Sequence, residues 1–246
     1  MPADLHPHEP ESGTITGRLY AFHESQSYAA RDTMADAGPR HLFRYRVLKR
    51  ALDIFLVLLF SPIFLLTLGL IAAAVRFSSP GPIFFSHRRI RRHGAFFSMW
   101  KFRTMCVNSA EVLEDYLRAH PEARAEWRKC HKLQHDPRVT RIGNFLRRTS
   151  LDELPQLWNV LNGEMSLVGP RPIVAAEVEK YAEFFSDYCL VKPGVTGLWQ
   201  VSGRSRVSYP ERVQLDRRYA HSWSLFGDLK ILVKTLFSVV NQDGAY

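Results

Sequence analysis

Cysteine is scarce in this 246-residue chain: Cys106, Cys130 and Cys189 are widely spaced, odd in number and form no C-x-x-C pair. A disulfide framework or a structural zinc site is therefore not what organises the fold, and the thiols read as reduced groups in a cytosolic compartment. His87, His93, His131 and His135 likewise show no metal-ligand spacing and read as structural or solvated. Acidic residues are the minority, 24 against 33 basic ones, a formal balance of +9. That surplus suits an anionic partner, whether nucleic acid, acidic lipid or a phosphate-bearing substrate. Internal repeats are absent, as are the compositions of collagen and of wholly disordered chains. With 46% apolar residues, the chain has enough to bury one substantial core.

The mean hydropathy is slightly polar at −0.17, yet Ile54 to Val75 is a 22-residue run without a charge. As one straight helix it would extend about 33 Å at 1.5 Å per residue, enough to cross a bilayer's hydrocarbon core. It is not a secretory signal, because 53 residues precede it and no small-residue cleavage site follows. Ser61-Pro62 interrupts the run. Proline lacks the amide donor and clashes with the carbonyl four residues back, so the helix is expected to break into halves of about 13 and 20 Å, neither long enough to cross. Basic residues flank both ends: Arg44, Arg46, Lys49 and Arg50 before, Arg76, Arg88, Arg89, Arg91 and Arg92 after. The positive-inside bias then places both ends on the cytoplasmic side, as in a re-entrant hairpin whose freed backbone groups are met partly by Ser61. A kinked spanning helix and a buried core helix are the alternatives. The block Arg88 to Arg92 reads as a phospholipid-facing surface.

Three segments follow: 1–40, a tail without helical or strand periodicity; 41–80, the membrane-associated helix; and 81–246, a cytosolic domain. Phe84 to Phe102 supplies short strands around a Gly94 turn, and Ser109 to Arg128 two charged helices divided at His120-Pro121. Leu154, Leu157, Trp158 and Leu161 mark a short helix ending at Asn162-Gly163. A second helix fits Val174, Val178, Tyr181 and Phe185, and a third Leu225 to Val240, which either lies on a membrane surface or packs on the domain. Between the last two, glycines permit tight turns to which Lys192, Arg204 and Arg206 bring positive charge. The expected class is a mixed, helix-rich α/β domain.

Reactive side chains concentrate in residues 138–172, where Asp152-Glu153 is flanked by Arg147, Arg148 and Arg171. Ser150 to Glu153 also matches a capping box, and spacing alone favours that structural role, although Pro155 makes its register imperfect. The same acids beside arginines suit phosphate chemistry: a carboxylate next to a bound phosphoryl group is a nucleophile, two acids with phosphate oxygens and water suit Mg²⁺, and guanidinium groups balance the transferred charge. In Pro170-Arg171-Pro172 the flanking prolines fix the backbone of the arginine. A non-catalytic basic membrane or nucleic-acid adaptor would explain the charge but not the acid pair. A lipid-phosphate phosphatase would send the intermediate to water.

The segments KRALDIFLVLLFSP, MWKFRTM, SLDELPQLWNVLNGEMSLVGPRP and KPGVTGLWQVSGR, in this order over residues 46–246, resemble the successive motifs of the bacterial sugar transferases, the monotopic polyprenyl-phosphate phosphoglycosyl transferases. VLEDYLRAHPEARAEWRKCHKLQHDPRVT and the ending DGAY are most similar to the undecaprenyl-phosphate galactose phosphotransferases of exopolysaccharide or O-antigen initiation. The resemblance implies a re-entrant helix broken at Ser61-Pro62, amphipathic interfacial helices, and a site on the cytosolic face of the bacterial inner membrane against inner-leaflet phospholipids. It implies Mg²⁺ as cofactor, a UDP-sugar donor (UDP-galactose ahead of UDP-glucose), undecaprenyl phosphate as acceptor and no nucleic acid; a homo-oligomer is compatible with it. Asp152 matches the nucleophile that would form a covalent phosphosugar intermediate, and Glu153 the second acid, with both in reach of the metal. Arg147, Arg171, Lys101 and Arg103 match basic positions near the substrate phosphates. Asp216 matches an acid of structural or metal-site importance, and Arg204 lies in the glycine-rich segment. Lys192 departs from the arginine common there, which keeps the charge and loses bidentate geometry.

Overall fold

Proline at position 62 has no N–H to offer the carbonyl of Leu58, and that carbonyl instead accepts a 2.8 Å hydrogen bond from Ser61 Oγ. This exchange sits at the break between helix α1 (Pro39–Leu59) and helix α2 (Ser61–Ser78), which are separated by the single residue Phe60. The computed structural model describes residues 39–130, 132–203 and 207–240; the tail read over 1–40, apart from its last residues, and His131, Arg204 and Arg206 lie outside them. The halves are longer than the apolar run suggests. Helix propagation needs backbone hydrogen bonds rather than apolar side chains, so α1 begins at Pro39 within the basic segment, and α2 continues past Val75 to Ser78. Against the expectation that neither half suffices, α2 with its 18 residues is long and apolar enough by length and composition to cross a membrane.

The two helices differ in how they meet the domain. In α1, Tyr45, Lys49, Asp53 and Val57 recur every fourth residue and are all buried, as one helix face requires. Lys49 Nζ lies 2.6 Å from Asp228 Oδ2, Asp53 accepts from Ser166 Oγ and the Leu167 amide, and Arg50 donates to the Val160 and Leu161 carbonyls. Helix α2 buries only Ile71 and Val75 and leaves Ile63, Leu65, Leu66, Leu70 and Phe77 exposed.

The rest is a mixed, helix-rich α/β arrangement. Strands β1 (Phe84–Ile90) and β2 (Phe96–Phe102) form an antiparallel hairpin with Phe84 opposite Phe102 and Ile90 opposite Phe96. Its turn holds His93 and Gly94 in the left-handed region, as the Gly94 reading anticipated. Helices α3 (Ser109–Ala119) and α4 (Pro121–Cys130) divide at His120, also as expected. Helix α5 (Arg141–Thr149), capped by Thr140 Oγ1 accepting from the Gly143 amide, precedes the acid pair; α6 (Gln156–Leu161) follows it and ends at Gly163 with φ 77°. Strand β3 (Ser166–Val168) pairs parallel with β4 (Gly194–Thr196).

The helix expected from Val174 to Phe185 is broken. A 3-10 turn leads into α7 (Val178–Tyr181), Ala182 takes a positive φ of 46°, and α8 (Phe185–Leu190) resumes beyond it. Helix α9 (Tyr209–His221) carries a capping box of Ser208 and Glu211, and α10 (Leu225–Val240) closes the described chain. The β1–β2 hairpin lies between two apolar clusters. Phe97 and Met99 pack with Val57, Leu157, Val160 and Met165, while Phe102 packs with Ile71, Val75 and Leu146. This sandwich fixes β2 relative to α5 and α6, and so fixes the site.

Candidate active site

Residues 97, 99 and 101 share one face of β2 because strand side chains alternate. Phe97 and Met99 on that face are buried, and Lys101 carries it outward to the acid pair: Nζ is 2.6 Å from Glu153 Oε1 and 3.6 Å from Asp152 Oδ2. The edge of β2 is held by Asn159, fully buried on α6, which accepts from the Trp100 amide and donates to the Ser98 carbonyl. Asn159 was not singled out in the sequence, where a lone asparagine within a helix carries no signal.

The acids do not sit in a capping box. Ser150 adopts φ 57°, its amide donates to the Arg147 carbonyl to end α5, and its side chain caps nothing. Leu151–Glu153 forms a single 3-10 turn between α5 and α6, so Pro155 falls outside a helix interior and its imperfect register is resolved. Asp152 is buried and Glu153 partly exposed. Burial pushes the Asp152 carboxyl above its ordinary range, with Glu153 adding to the rise and Lys101 and Arg147 opposing it. For Glu153, burial also acts upward, but Lys101, by charge and hydrogen bond, with Arg171 and Arg89, outweighs it and holds the group below the usual glutamate range. Two adjacent acids are thereby pushed apart, a common property of sites in which neighbouring acids take different roles.

Arg147 is fixed by a 2.9 Å hydrogen bond from Nε to Thr104 Oγ1, with its charge toward Asp152. Arg171 shares a cleft with Met99, Lys101, Glu153, Gln156 and Gln200, and its guanidinium lies 5.9 Å from the Trp199 ring centre. Arg89 pairs across the hairpin with Phe97 and so shares the face of Lys101; Nη1 donates to the Pro172 carbonyl and stands 3.5 Å from Glu177. Arg89 thus turns inward, away from the lipid-facing surface read for Arg88 to Arg92; the alternation of β1 was the available signal.

Other residues singled out in the sequence lie elsewhere. Arg103 follows the end of β2 and donates to the carbonyls of Ser79 and Pro80, tying the hairpin to the end of α2. The backbone amide of Lys192 donates to Tyr45 Oη, and its ammonium, with Arg50 and Asp53 among its charged neighbours, is lowered to about 8, chiefly by burial. Asp216 is buried on α9, accepts from Tyr181 Oη at 2.7 Å and is raised to about 7, chiefly by burial. Among the described residues no group of three or more His, Cys, Asp or Glu forms a metal cage.

The site therefore gathers an acid pair, a lysine between the acids and arginines on two sides, from elements far apart in sequence. The family described as Bacterial sugar transferase matches residues 44–242. The chain is 53% identical over 201 residues to the UDP-galactose-lipid carrier transferase of Erwinia amylovora, covering 82% of this chain and 42% of that protein. It is 55% identical over 166 residues to the undecaprenyl-phosphate galactose phosphotransferase of Salmonella typhimurium (68% and 35%). To the exopolysaccharide production protein ExoY of Rhizobium meliloti it is 50% identical over 202 residues (80% and 88%). It thus spans less than half the length of the first two of these relatives and most of the third. The family match extends from α1 into α10, across every element that builds the cleft, and the chain belongs to the bacterial sugar transferase family.

Proposed function

We propose that this protein transfers a sugar 1-phosphate, preferentially galactose 1-phosphate, from a UDP-sugar to undecaprenyl phosphate, releasing UMP in the first membrane step of exopolysaccharide synthesis. The observation that carries this reading is Lys101, hydrogen-bonded to Glu153 and 3.6 Å from Asp152, in one cleft with Arg171. The names of the relatives supply the donor and the acceptor.

Asp152 is the nucleophile. Its ionised carboxylate attacks the β-phosphorus of the donor; a P–O bond forms, the bond to the oxygen bridging the α-phosphate breaks, and UMP leaves with the electron pair. The acyl phosphate so formed is attacked at phosphorus by an oxygen of undecaprenyl phosphate, which frees the carboxylate and yields the sugar diphospholipid. Lys101 and Arg147 keep the buried carboxylate ionised, and Arg171 and Lys101 hold the phosphate oxygens. Mg²⁺ fits the donor set, since few protein carboxylates and several phosphate oxygens suffice for it; Asp152 and Glu153, adjacent beside Lys101, would hold it. When bound, the ion neutralises diphosphate charge.

The outward faces of α1, α2 and α10 carry Phe55, Leu58, Leu59, Leu65, Leu66, Leu70, Phe226, Leu236 and Phe237 exposed, more apolar surface than a soluble monomer leaves open. We read α1–α2 as a re-entrant hairpin in the cytosolic leaflet of the inner membrane, with Arg46, Arg76 and Arg88 at its phospholipid headgroups. The test is UMP release from a panel of UDP-sugars with Mg²⁺, with and without undecaprenyl phosphate. UDP-galactose is expected to lead, UDP-glucose to follow, and the acceptor to make turnover continuous. Free sugar phosphate as the product, in place of a sugar diphospholipid, would replace transfer with hydrolysis.

A further inference from the structure

Arg212 lies on α9, outside the residues lining the cleft, and has no role in the proposed chemistry. Its guanidinium is nevertheless buried and gripped from several sides. Nη1 is 3.6 Å from Glu177 Oε1, Nε is 3.9 Å from Asp216 Oδ2, and the group stands 5.0 Å from the ring centres of both Trp199 and Tyr209. The gripping groups are fixed in turn. Tyr181 Oη donates to Asp216, Tyr209 Oη to Glu177 Oε1, and the Val174 amide to Glu177 Oε2.

The second cation on the Trp199 ring is Arg171, at 5.9 Å. Arg171 is exposed and, among the described residues, has neither a hydrogen bond nor an ion pair, so the indole limits where its guanidinium can go. An arginine held over an aromatic face keeps its planar fork aimed, whereas an unpinned one samples many rotamers. Glu177 also reaches the other side of the same segment, because Arg89, 3.5 Å from Glu177 Oε2, donates to the carbonyl of Pro172.

We propose that Arg212 is a positioning residue for Arg171: clasped by Glu177, Asp216 and Tyr209, it fixes the Trp199 indole on which Arg171 lies. The inference rests on the reading that Arg171 holds the donor phosphates. A positioning residue has nothing left to do once its target is gone, and a double-mutant cycle on kcat/KM for the donor, read as UMP release, shows this directly. Misplacement by about 1 Å costs up to about a hundredfold, so Arg212→Met alone is expected to lose about tenfold to a hundredfold. In an Arg171→Ala background the same substitution is expected to lose less than about twofold.

Arg212→Met removes buried ion pairs, so a second arm uses Trp199, which is half-buried in a turn. Trp199→Ala is expected to show the same dependence on Arg171, and Trp199→Phe, which keeps an aromatic face, to recover most of the loss. Losses that multiply independently of Arg171, in whichever arm folds, would overturn the positioning role and make Arg212 or Trp199 a substrate contact or a merely structural group. Normal kinetics in Arg171→Ala alone would instead remove the phosphate role of Arg171, and the positioning role with it.

Discussion

Replacing Lys101 by methionine removes the cation between the two acids and keeps most of the side chain's volume. At 3.6 Å from Asp152, a unit charge contributes about 5 kcal/mol of gross attraction at an effective dielectric of 20. The cleft is open to water, with the Lys101 and Asp152 side chains 22% and 12% exposed, so the effective shift lies nearer the lower half of the 1 to 3 pKa units that a close opposite charge produces. Lys101 opposes the rise in Asp152 and holds Glu153 down; removing it raises both. With Asp152 as the proposed nucleophile, acting as a carboxylate, activity is expected above the apparent pKa of the pair and is expected to be lost as pH falls through it. The acid limb of kcat/KM for the donor is therefore expected to move upward by about 1 to 2 pH units in Lys101→Met. The deficit relative to the unsubstituted protein should shrink as pH rises. UMP release measured from pH 5 to 9 would refute the reasoning if the acid limb stayed in place while activity fell uniformly, because Lys101 would then bind substrate without tuning Asp152.

The buried pair Lys49–Asp228, whose side chains are 3% and 1% exposed, fastens α1 to α10. Asp228→Asn should cost about 3 to 5 kcal/mol by stranding a buried ammonium, while Lys49→Met combined with Asp228→Asn should be closer to the unsubstituted protein than Asp228→Asn alone; denaturation in detergent that shows simple additivity would argue against the pair. A methyl group at Gly143 would sit 2.0 Å from the Thr104 carbonyl oxygen, forcing α5 from the residue that holds Arg147. Gly143→Ala should cost about 1 to 3 kcal/mol and reduce UMP release, and unchanged thermal stability would contradict the close approach. For the proposed re-entrant arrangement of α1 and α2, Ala3→Cys and Ser98→Cys in a cysteine-free background should both label from the cytosolic side only; labelling from opposite faces would replace the re-entrant reading with a spanning one.

Much of the architecture was legible because its signals were local. Pro62, Gly94, His120-Pro121 and Gly163 each act through backbone geometry within a few residues, and each marks a real break or turn. The helix over Val174 to Phe185 was misread because its apolar spacing was right while Ala182, a strong helix former, is held at a positive φ that breaks the helix. The ends of α1 and α2 were misread because apolar runs report the solvent that side chains prefer, not where backbone hydrogen bonding stops. The structure brings Asp152, Glu153, Lys101, Arg147 and Arg171 together; the density of reactive side chains over 138–172 had marked four of them, and Lys101 came only from the resemblance. Arg103, beside Lys101 in sequence, goes instead to Ser79 and Pro80 because β2 ends between them. Arg89 was read as lipid-facing with the rest of its block, although strand alternation turns it inward; Glu177 and Arg212 escaped notice because their relation to Arg171 runs through contacts between distant elements, which no sequence window contains.

Asp152 as nucleophile is the central claim, and a single-turnover experiment without lipid acceptor tests it most directly. Protein incubated with Mg²⁺ and UDP-galactose should release one equivalent of UMP, and mass spectrometry should find galactose phosphate on the peptide carrying Asp152, with neither product in Asp152→Asn. Undiminished UMP release by Asp152→Asn would contradict the account.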